Sequence, residues 1–191
     1  MSRRPPARPA LERLWSPWRM AYIRRAAAPE GGCLFCRVAR GHADRTNLVL
    51  WRRPHGLLML NRFPYNPGHL MVAISRHVAA FADLSAAEQT DWMALTALAE
   101  RALTAEYHPD GMNLGVNLGR VAGAGFPGHL HQHLVPRWNG DSNFMPTVAE
   151  TRVLPESLGQ TWARLRRAIT ALEAGRKRTK VRRPARARSS R

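Results

Sequence analysis

The spacing of apolar and polar residues along the chain predicts five strands, the last of which carries the alternating histidines described below. Leu48–Trp51, Gly56–Asn61 and His69–Ser75 are short apolar runs, separated by connections that contain proline. Short strands joined in this way favour an antiparallel meander. A further run, Met112–Val116, alternates apolar residues with asparagine and glycine, a pattern typical of a strand with one buried face.

Two longer segments carry apolar residues at helical spacing. Ser85 and Glu88 have the spacing of a capping box, which predicts the start of a long helix that reaches about Tyr107. A second helix is predicted to begin at Pro155 and to stop at Gly175. Together the elements predict an α+β fold, with an antiparallel sheet, a long helix and a C-terminal helix.

Composition divides the chain into three parts. Residues 1–9 are rich in arginine and proline and are predicted to form a disordered basic N-terminus. Residues 10–175 form the predicted domain, and residues 176–191 a disordered basic tail. Inside the domain, Leu11–Tyr22 contains two tryptophans and one tyrosine. Because burial of each large apolar side chain is worth about 1.5–3 kcal/mol, we expect this segment to dock on the domain or at a subunit interface.

The net charge of +17 over 191 residues is unusual, but most of it lies at the ends of the chain. Nine lysines and arginines fall within Arg176–Arg191, and three more precede residue 10. The remaining core is mildly basic, which suits an anionic substrate without requiring nucleic acid. Two cysteines are too few for a disulfide-rich secreted domain, and no signal-peptide pattern or long apolar stretch is present. We therefore expect a cytoplasmic protein that does not enter a membrane.

Three of the eight histidines alternate within Gly125–Trp138, at positions 129, 131 and 133. Side chains alternate along a strand, so in a strand all three imidazoles would project from one face, and Leu130 and Leu134 from the other. The glycine-rich segment Gly115–Gly128 comes directly before them, and glycines let backbone N–H groups approach a phosphate closely. We interpret this face as an active site that handles phosphate. A structural trio and a simple three-histidine metal cluster are the alternatives.

Cys33 and Cys36 have the Cys-x-x-Cys spacing of a zinc-binding turn. A structural zinc site needs two further ligands, for which His77 and His129 are candidates. Three other histidines compete with them: His42, His55 and His69. Free thiols and a redox pair are the other interpretations of this spacing.

The segment His129–Val135 resembles the signature of the histidine triad superfamily, in which three histidines alternate with apolar residues. Gln132 departs from that pattern at one apolar position. The resemblance extends over about Leu11–Gly175, and Pro136–Pro146 resembles the branch that includes bacterial diadenosine tetraphosphate phosphorylases. It implies an α+β domain that forms a homodimer or a larger homo-oligomer, and transfer of a nucleotidyl group through a covalent histidine intermediate.

The resemblance also implies roles for individual residues. His131 would be the nucleophile, and His133 would contact the phosphate and assist the leaving group. Cys33, Cys36, His77 and His129 would hold a structural zinc ion. The implied substrate contacts are Asn61 at the ribose, Asn117 and the backbone near Gly125 at the α-phosphate, and additionally Phe126, Gln132 and Trp138.

The acceptor that completes the reaction is left open by these motifs. Attack by inorganic phosphate would make the protein a phosphorylase that converts diadenosine tetraphosphate into ADP and ATP. Attack by water would make it a hydrolase of dinucleoside polyphosphates or nucleoside phosphoramidates. The resemblance over Trp138–Pro146 favours the phosphorylase. A different class of function is a nucleic-acid-binding module that uses the basic tail.

Overall fold

The computed structural model describes residues 32–141 and 156–182, the last six of them by their backbone alone. In chain order the elements are α1 (Leu34–Arg40), β1 (Val49–Arg53), β2 (Gly56–Leu60), β3 (Leu70–Ile74), a short 3-10 helix (Phe81–Asp83), α2 (Ala86–Tyr107), β4 (Gly111–Val116), β5 (His131–Arg137) and α3 (Leu158–Arg182). The N-terminal docking segment, both predicted disordered ends beyond these limits, and the predicted helix start at Pro155 lie outside the described residues.

The five strands form one antiparallel sheet in the order β1-β2-β3-β5-β4. The predicted meander is confirmed by β1, β2 and β3. Helix α2 then carries the chain across the sheet, so that β4 becomes an edge strand and β5 fills the space between β3 and β4. In this arrangement His133 lies opposite both Met71 of β3 and Gly115 of β4.

Apolar side chains are buried on both faces of the sheet. The larger core joins one face to α2 and α3 through Leu58, Leu60, Leu70, Val72, Ile74, Leu95, Leu103, Leu134, Leu165 and Ile169. The smaller core joins the other face to α1 through Phe35, Val38, Val49, Leu57, Met59, Met71 and Ala73. Burial on both faces explains why β2 and β3 are continuous apolar runs and do not alternate.

The predicted capping box is present at the start of α2. Ser85 Oγ accepts a hydrogen bond from the Glu88 N–H at 3.3 Å, and Glu88 Oε2 accepts one from the Ser85 N–H at 2.8 Å. Arg76 Nε and Nη2 donate to the same carboxylate at 2.8 and 2.9 Å. The Arg76 guanidinium is the main reason that the pKa of Glu88 falls to about 2.

One predicted boundary and one predicted turn are wrong. Gly175 does not stop the last helix, because α3 continues to Arg182. A single interior glycine costs a helix only about 1 kcal/mol, and the helix-forming residues on either side outweigh it. The Cys33–Cys36 segment is the N-cap and first turn of α1 and not a free-standing turn. Within the described part of the chain, no helix is both long and apolar enough to cross a bilayer.

Candidate active site and metal centre

The three alternating histidines do not all belong to one strand. His131 and His133 are in β5, whereas His129 precedes it and its N–H donates to the Phe126 carbonyl at 3.1 Å. The prediction that one strand face presents all three imidazoles is therefore wrong for His129. Leu130 and Leu134 are buried in the larger core, on the side opposite His131 and His133, as the alternation predicts.

His129 instead joins a cluster with the two cysteines and His77. Cys33 lies directly before α1 and Cys36 in its first turn, and His77 follows β3. Sγ of Cys33 is 3.2 Å from His129 Nδ1, and Sγ of Cys36 is 3.3 Å from His77 Nδ1. The four ligand atoms all lie within 4.8 Å of one another. The histidines that competed for these places, at positions 42, 55 and 69, are not in the cluster.

The donor set and its surroundings fit a tetrahedral metal ion. Two sulfur and two nitrogen atoms at bond lengths of about 2.0–2.3 Å would be separated by roughly 3.3–3.8 Å, close to the observed spacing. The Nε2–H of His129 donates to the Ile74 carbonyl at 2.7 Å, so its Nδ1 lone pair points at the thiols. Burial and the neighbouring Cys33 raise the pKa of the Cys36 thiol, and a bound cation would offset that cost by stabilising the thiolate.

His131 is buried, with 4% of its surface exposed, and its tautomer is set by the backbone. Nδ1 lies 2.7 Å from the carbonyl oxygen of His129, which can only accept a hydrogen bond. The proton is therefore on Nδ1, and Nε2 carries a lone pair. Burial lowers the pKa of His131 below its ordinary value of 6.5, so the ring is neutral near pH 7. A neutral imidazole with a lone pair on Nε2 is a competent nucleophile.

His133 has the opposite tautomer. The Tyr65 N–H donates to Nδ1 of His69 at 3.1 Å, which leaves the His69 proton on Nε2. That Nε2 is 3.0 Å from Nδ1 of His133, so His69 donates and His133 accepts. His133 therefore carries its own proton on Nε2. The arrangement supplies one imidazole lone pair and one imidazole N–H, on rings whose centroids are 5.1 Å apart.

Sequence reasoning missed His69 as part of this site and treated it only as a possible zinc ligand. It is fully buried directly before β3, and only the pairing of β3 with β5 brings it against His133. No residue spacing in the sequence carried that information, because the two strands are separated by α2 and β4.

A cleft of about 510 Å³ opens beside His133, within the range of small-molecule sites. Its walls come from β4, β5 and two loops: Tyr65, Asn113, Leu114, Gly115, Asn117, Ala122, Gly123, His133 and Val135. Asn117 is thus placed in the cleft, and its Nδ2 is 3.5 Å from the Gly123 carbonyl oxygen. Gly125 and Phe126 are half-buried in the loop before His129, where the Phe126 ring packs edge-on against Phe35.

The other predicted substrate contacts lie elsewhere. Gln132 is on the helix side of β5, and its Oε1 accepts from Thr96 Oγ1 at 2.8 Å. The Trp138 indole N–H donates to the Tyr107 carbonyl at 3.3 Å. Both side chains therefore hydrogen-bond to residues of α2, and neither residue lines the cleft. Asn61 Oδ1 accepts from the Phe63 N–H at 2.9 Å, and Asn61 lies beside His69 at a small internal cavity.

Comparisons with known proteins match this chain to one family. The HIT domain family model matches residues 43–140. AP-4-A phosphorylase of Mycobacterium tuberculosis is 38% identical over 170 residues, which cover 82% of this chain and 87% of that protein.

Two solved structures show the same fold at lower identity. A zinc-bound histidine triad family protein from Mycobacterium smegmatis has a TM-score of 0.60 and 24% identity, covering 75% of this chain and 97% of that one. A hypothetical histidine triad nucleotide-binding protein from Sulfolobus tokodaii has a TM-score of 0.57 and 22% identity, covering 74% and 94%. The family-model match, the identity with the Mycobacterium tuberculosis protein and the shared fold show that the chain belongs to the HIT domain family of histidine triad proteins.

Proposed function

We propose that this protein is a cytoplasmic nucleotidyltransferase that cleaves diadenosine tetraphosphate with inorganic phosphate through a covalent nucleotidyl-His131 intermediate. The observation that carries the proposal is the hydrogen bond from His131 Nδ1–H to the His129 carbonyl, which leaves Nε2 as the nucleophilic atom. The choice of substrate is supported by the 38% identity with AP-4-A phosphorylase of Mycobacterium tuberculosis.

In the first half-reaction, Nε2 of His131 attacks the α-phosphorus of the dinucleotide. A P–N bond forms, the bridging P–O bond breaks and ATP leaves. The Nε2–H of His133 donates a hydrogen bond to the departing oxygen, whose negative charge grows as the bond breaks. The neutral tautomer of His133 serves this role, because His69 occupies its other nitrogen.

In the second half-reaction, an oxygen of inorganic phosphate attacks the same phosphorus. The P–N bond breaks, the electron pair returns to Nε2 of His131, and ADP is released. Diadenosine tetraphosphate and phosphate thus yield ADP and ATP. Water would follow the same route and release AMP, so the acceptor alone separates a phosphorylase from a hydrolase.

The cleft supplies the groups that would hold the α-phosphate. The Asn117 side chain and the backbone around Gly123 and Gly125 line or flank it. Gly123 lines the cleft with a φ of 91°, a conformation in which residues other than glycine are strained. Asn61 is assigned to the ribose by the family resemblance.

The four-residue cluster is proposed to hold a structural zinc ion, bound by Cys33, Cys36, His77 and His129. Because the protein supplies all four ligands, such an ion would have no open position for a substrate. It would hold the start of α1 to His77, after β3, and to His129, two residues before β5. We also propose a homo-oligomer assembled through the edge strand β4. Leu114 and Leu118, in and just after this strand, are 45% and 49% exposed. Light scattering on the full chain measures that assembly.

Trapping of the intermediate tests the proposed nucleophile. Protein mixed with diadenosine tetraphosphate labelled at the α-phosphorus and quenched in base, where phosphoramidates survive, should carry label on His131 in peptide mass spectrometry. His131→Ala should carry none and lose turnover with its fold intact. His42→Ala is the matched control, because His42 is exposed and outside the site. Label on another residue, or turnover by His131→Ala, would refute the assignment.

A further inference from the structure

Phe35 lies between the two thiols in sequence and against the nucleophile in space. Its side chain is 1% exposed. Its ring centroid is 4.7 Å from that of His131 and 5.0 Å from that of His129, with an interplanar angle of 31° in both cases. A single aromatic ring thus covers both imidazoles.

A hydrogen bond also links His131 to the Cys33/Cys36/His77/His129 cluster. The carbonyl that accepts from His131 Nδ1 belongs to His129, whose own imidazole is a member of the cluster. The edge of the His131 ring is therefore held by the backbone of one ligand residue. Its face is held by Phe35, one of the two residues between Cys33 and Cys36.

The helix that carries Phe35 has little to hold its first turn. Helix α1 has seven residues, too few to be stable by itself. Its N-cap, Cys33, makes no side-chain capping hydrogen bond. Its other end is anchored, since the Arg52 guanidinium donates to the carbonyls of Val38, Ala39 and Gly41 at 2.8–3.0 Å. Within the described residues, the N-terminal turn is held to the sheet by the buried Phe35 ring, by partial packing of Leu34 and by the thiol contacts with His77 and His129.

We propose that the Cys33/Cys36/His77/His129 centre positions the nucleophile, and that Phe35 is the positioning residue through which the thiol half of the centre acts on His131. With the ion bound, the thiolates fix the first turn of α1 and press Phe35 against the His131 ring. Without the ion, that turn is free to move while Arg52 keeps the rest of the helix in place. This inference rests on the proposed role of His131 and adds a reason why a structural metal lies beside a reaction centre.

Phe35→Leu tests the role of the ring, and Val38→Ala is its matched control. Val38 lies in the same helix and the same core, is also 1% exposed, and makes no ring contact with a histidine. Phe35→Leu should lower kcat about tenfold or more and change KM less than twofold, since small misplacements of reacting groups are costly. Val38→Ala should lower the melting temperature comparably and leave kcat within twofold of wild type.

Two readouts other than turnover accompany the kinetics. The visible spectrum of cobalt-substituted protein should be unchanged in Phe35→Leu, because all four ligands remain. Long-range proton–nitrogen correlation spectra of histidine-labelled protein should show one His131 tautomer, protonated on Nδ1, in metal-loaded wild type. The same signals should be broadened or split in Phe35→Leu, and also in wild-type protein after chelation, at a temperature where circular dichroism shows it folded.

The outcomes separate this inference from the proposed function. A kcat for Phe35→Leu equal to that of Val38→Ala, or His131 signals unmoved by chelation, would overturn the positioning role. Absence of a covalent adduct in wild type would instead defeat the proposed function, and the spectra would still report whether the metal holds the ring of residue 131. Broadened signals with a normal cobalt spectrum and a selective loss of kcat would support the inference.

Discussion

His131 and His133 are two residues apart on one face of β5, yet their hydrogen bonds fix opposite tautomers. A backbone carbonyl takes the Nδ1 proton of His131, and the Nε2–H of His69 occupies Nδ1 of His133. One ring can therefore attack while the other donates. The Tyr65 N–H sets the direction of the hydrogen bonds from His69 to His133, because a backbone N–H can only donate.

His69→Ala should lower kcat about tenfold or more, because His133 then loses the donor that fixes its proton on Nε2. His69→Gln keeps a side-chain N–H that can reach towards His133 and should recover part of the loss. Steady-state kcat and KM for both variants, with melting temperatures, provide the measurement. Equal losses of kcat in the two variants would show that the donor is not what His69 contributes.

For Gln132, in contrast to His69, we predict that substitution has little effect on catalysis. It departs from the apolar pattern of the family signature, but its side chain faces Thr96 on α2 and not the cleft. Gln132→Leu should therefore leave kcat and KM within twofold of wild type. The Thr96 hydroxyl keeps the Trp92 carbonyl as an acceptor, so stability should change by less than about 1 kcal/mol. A large rise in KM, measured on folded protein, would show that Gln132 contacts the substrate and would contradict this prediction.

At the scale of elements, the sequence was informative wherever a signal was local. The apolar runs predicted β1, β2 and β3, and Ser85 and Glu88 predicted the start of α2. Three features depend on long-range contacts and could not be predicted: the insertion of β5 between β3 and β4, the placement of His69, and the departure of His129 from the strand. The end of α3 was predicted wrongly, because a lone glycine is a weak helix terminator when its neighbours favour helix.

The capping box of α2 makes a pH prediction. The pKa of Glu88 is lower in the folded protein, about 2, than its ordinary value of 4.5. Its charge therefore stabilises the fold above pH 4.5, and this contribution is lost as the pH falls through the interval from 4.5 to about 2. Because Arg76 is half exposed, we expect a contribution of about 1 kcal/mol, well below what the full shift would give.

Glu88→Gln measures that contribution, since glutamine can still accept the Ser85 N–H. Urea unfolding should show the variant about 1 kcal/mol less stable than wild type at pH 7, and the difference should be clearly smaller at pH 2.5, where the pH approaches the folded-state pKa of Glu88. Arg53→Gln, which removes an ion pair with Asp91 about one turn after Glu88 in α2, serves as a comparison for a charge change outside the capping box. A difference between Glu88→Gln and wild type that is the same at both pH values would contradict the charge as its source.

At the scale of the whole molecule, the charge and the chemistry lie in different places. The described core buries its apolar side chains around the sheet, and Ile169 and Leu172 are the last of the described α3 side chains that pack against it. Nine cations follow from Arg176 onwards. The basic composition of the tail therefore favours a role in solubility or in contact with nucleic acid, and not a role in the reaction.

Truncation after Gly175 tests this separation. It removes the tail, the last turns of α3 and the surface ion pair between Arg176 and Glu173, which is worth at most about 1 kcal/mol. Turnover should stay within twofold of the full chain. Binding of the full chain to RNA or DNA should weaken steeply with salt and be lost in the truncated form. Loss of turnover on truncation, in protein that remains folded, would place part of the active site beyond the domain.

Identification of the acceptor of the nucleotidyl group is the most direct test of the proposed phosphorylase activity. Purified full-length protein is incubated with diadenosine tetraphosphate, with and without inorganic phosphate, and the nucleotides are separated and quantified. Phosphorolysis predicts ADP and ATP in equal amounts, formed only when phosphate is present. Release of AMP and ATP without phosphate, at a rate that phosphate does not change, would contradict it and make the protein a hydrolase.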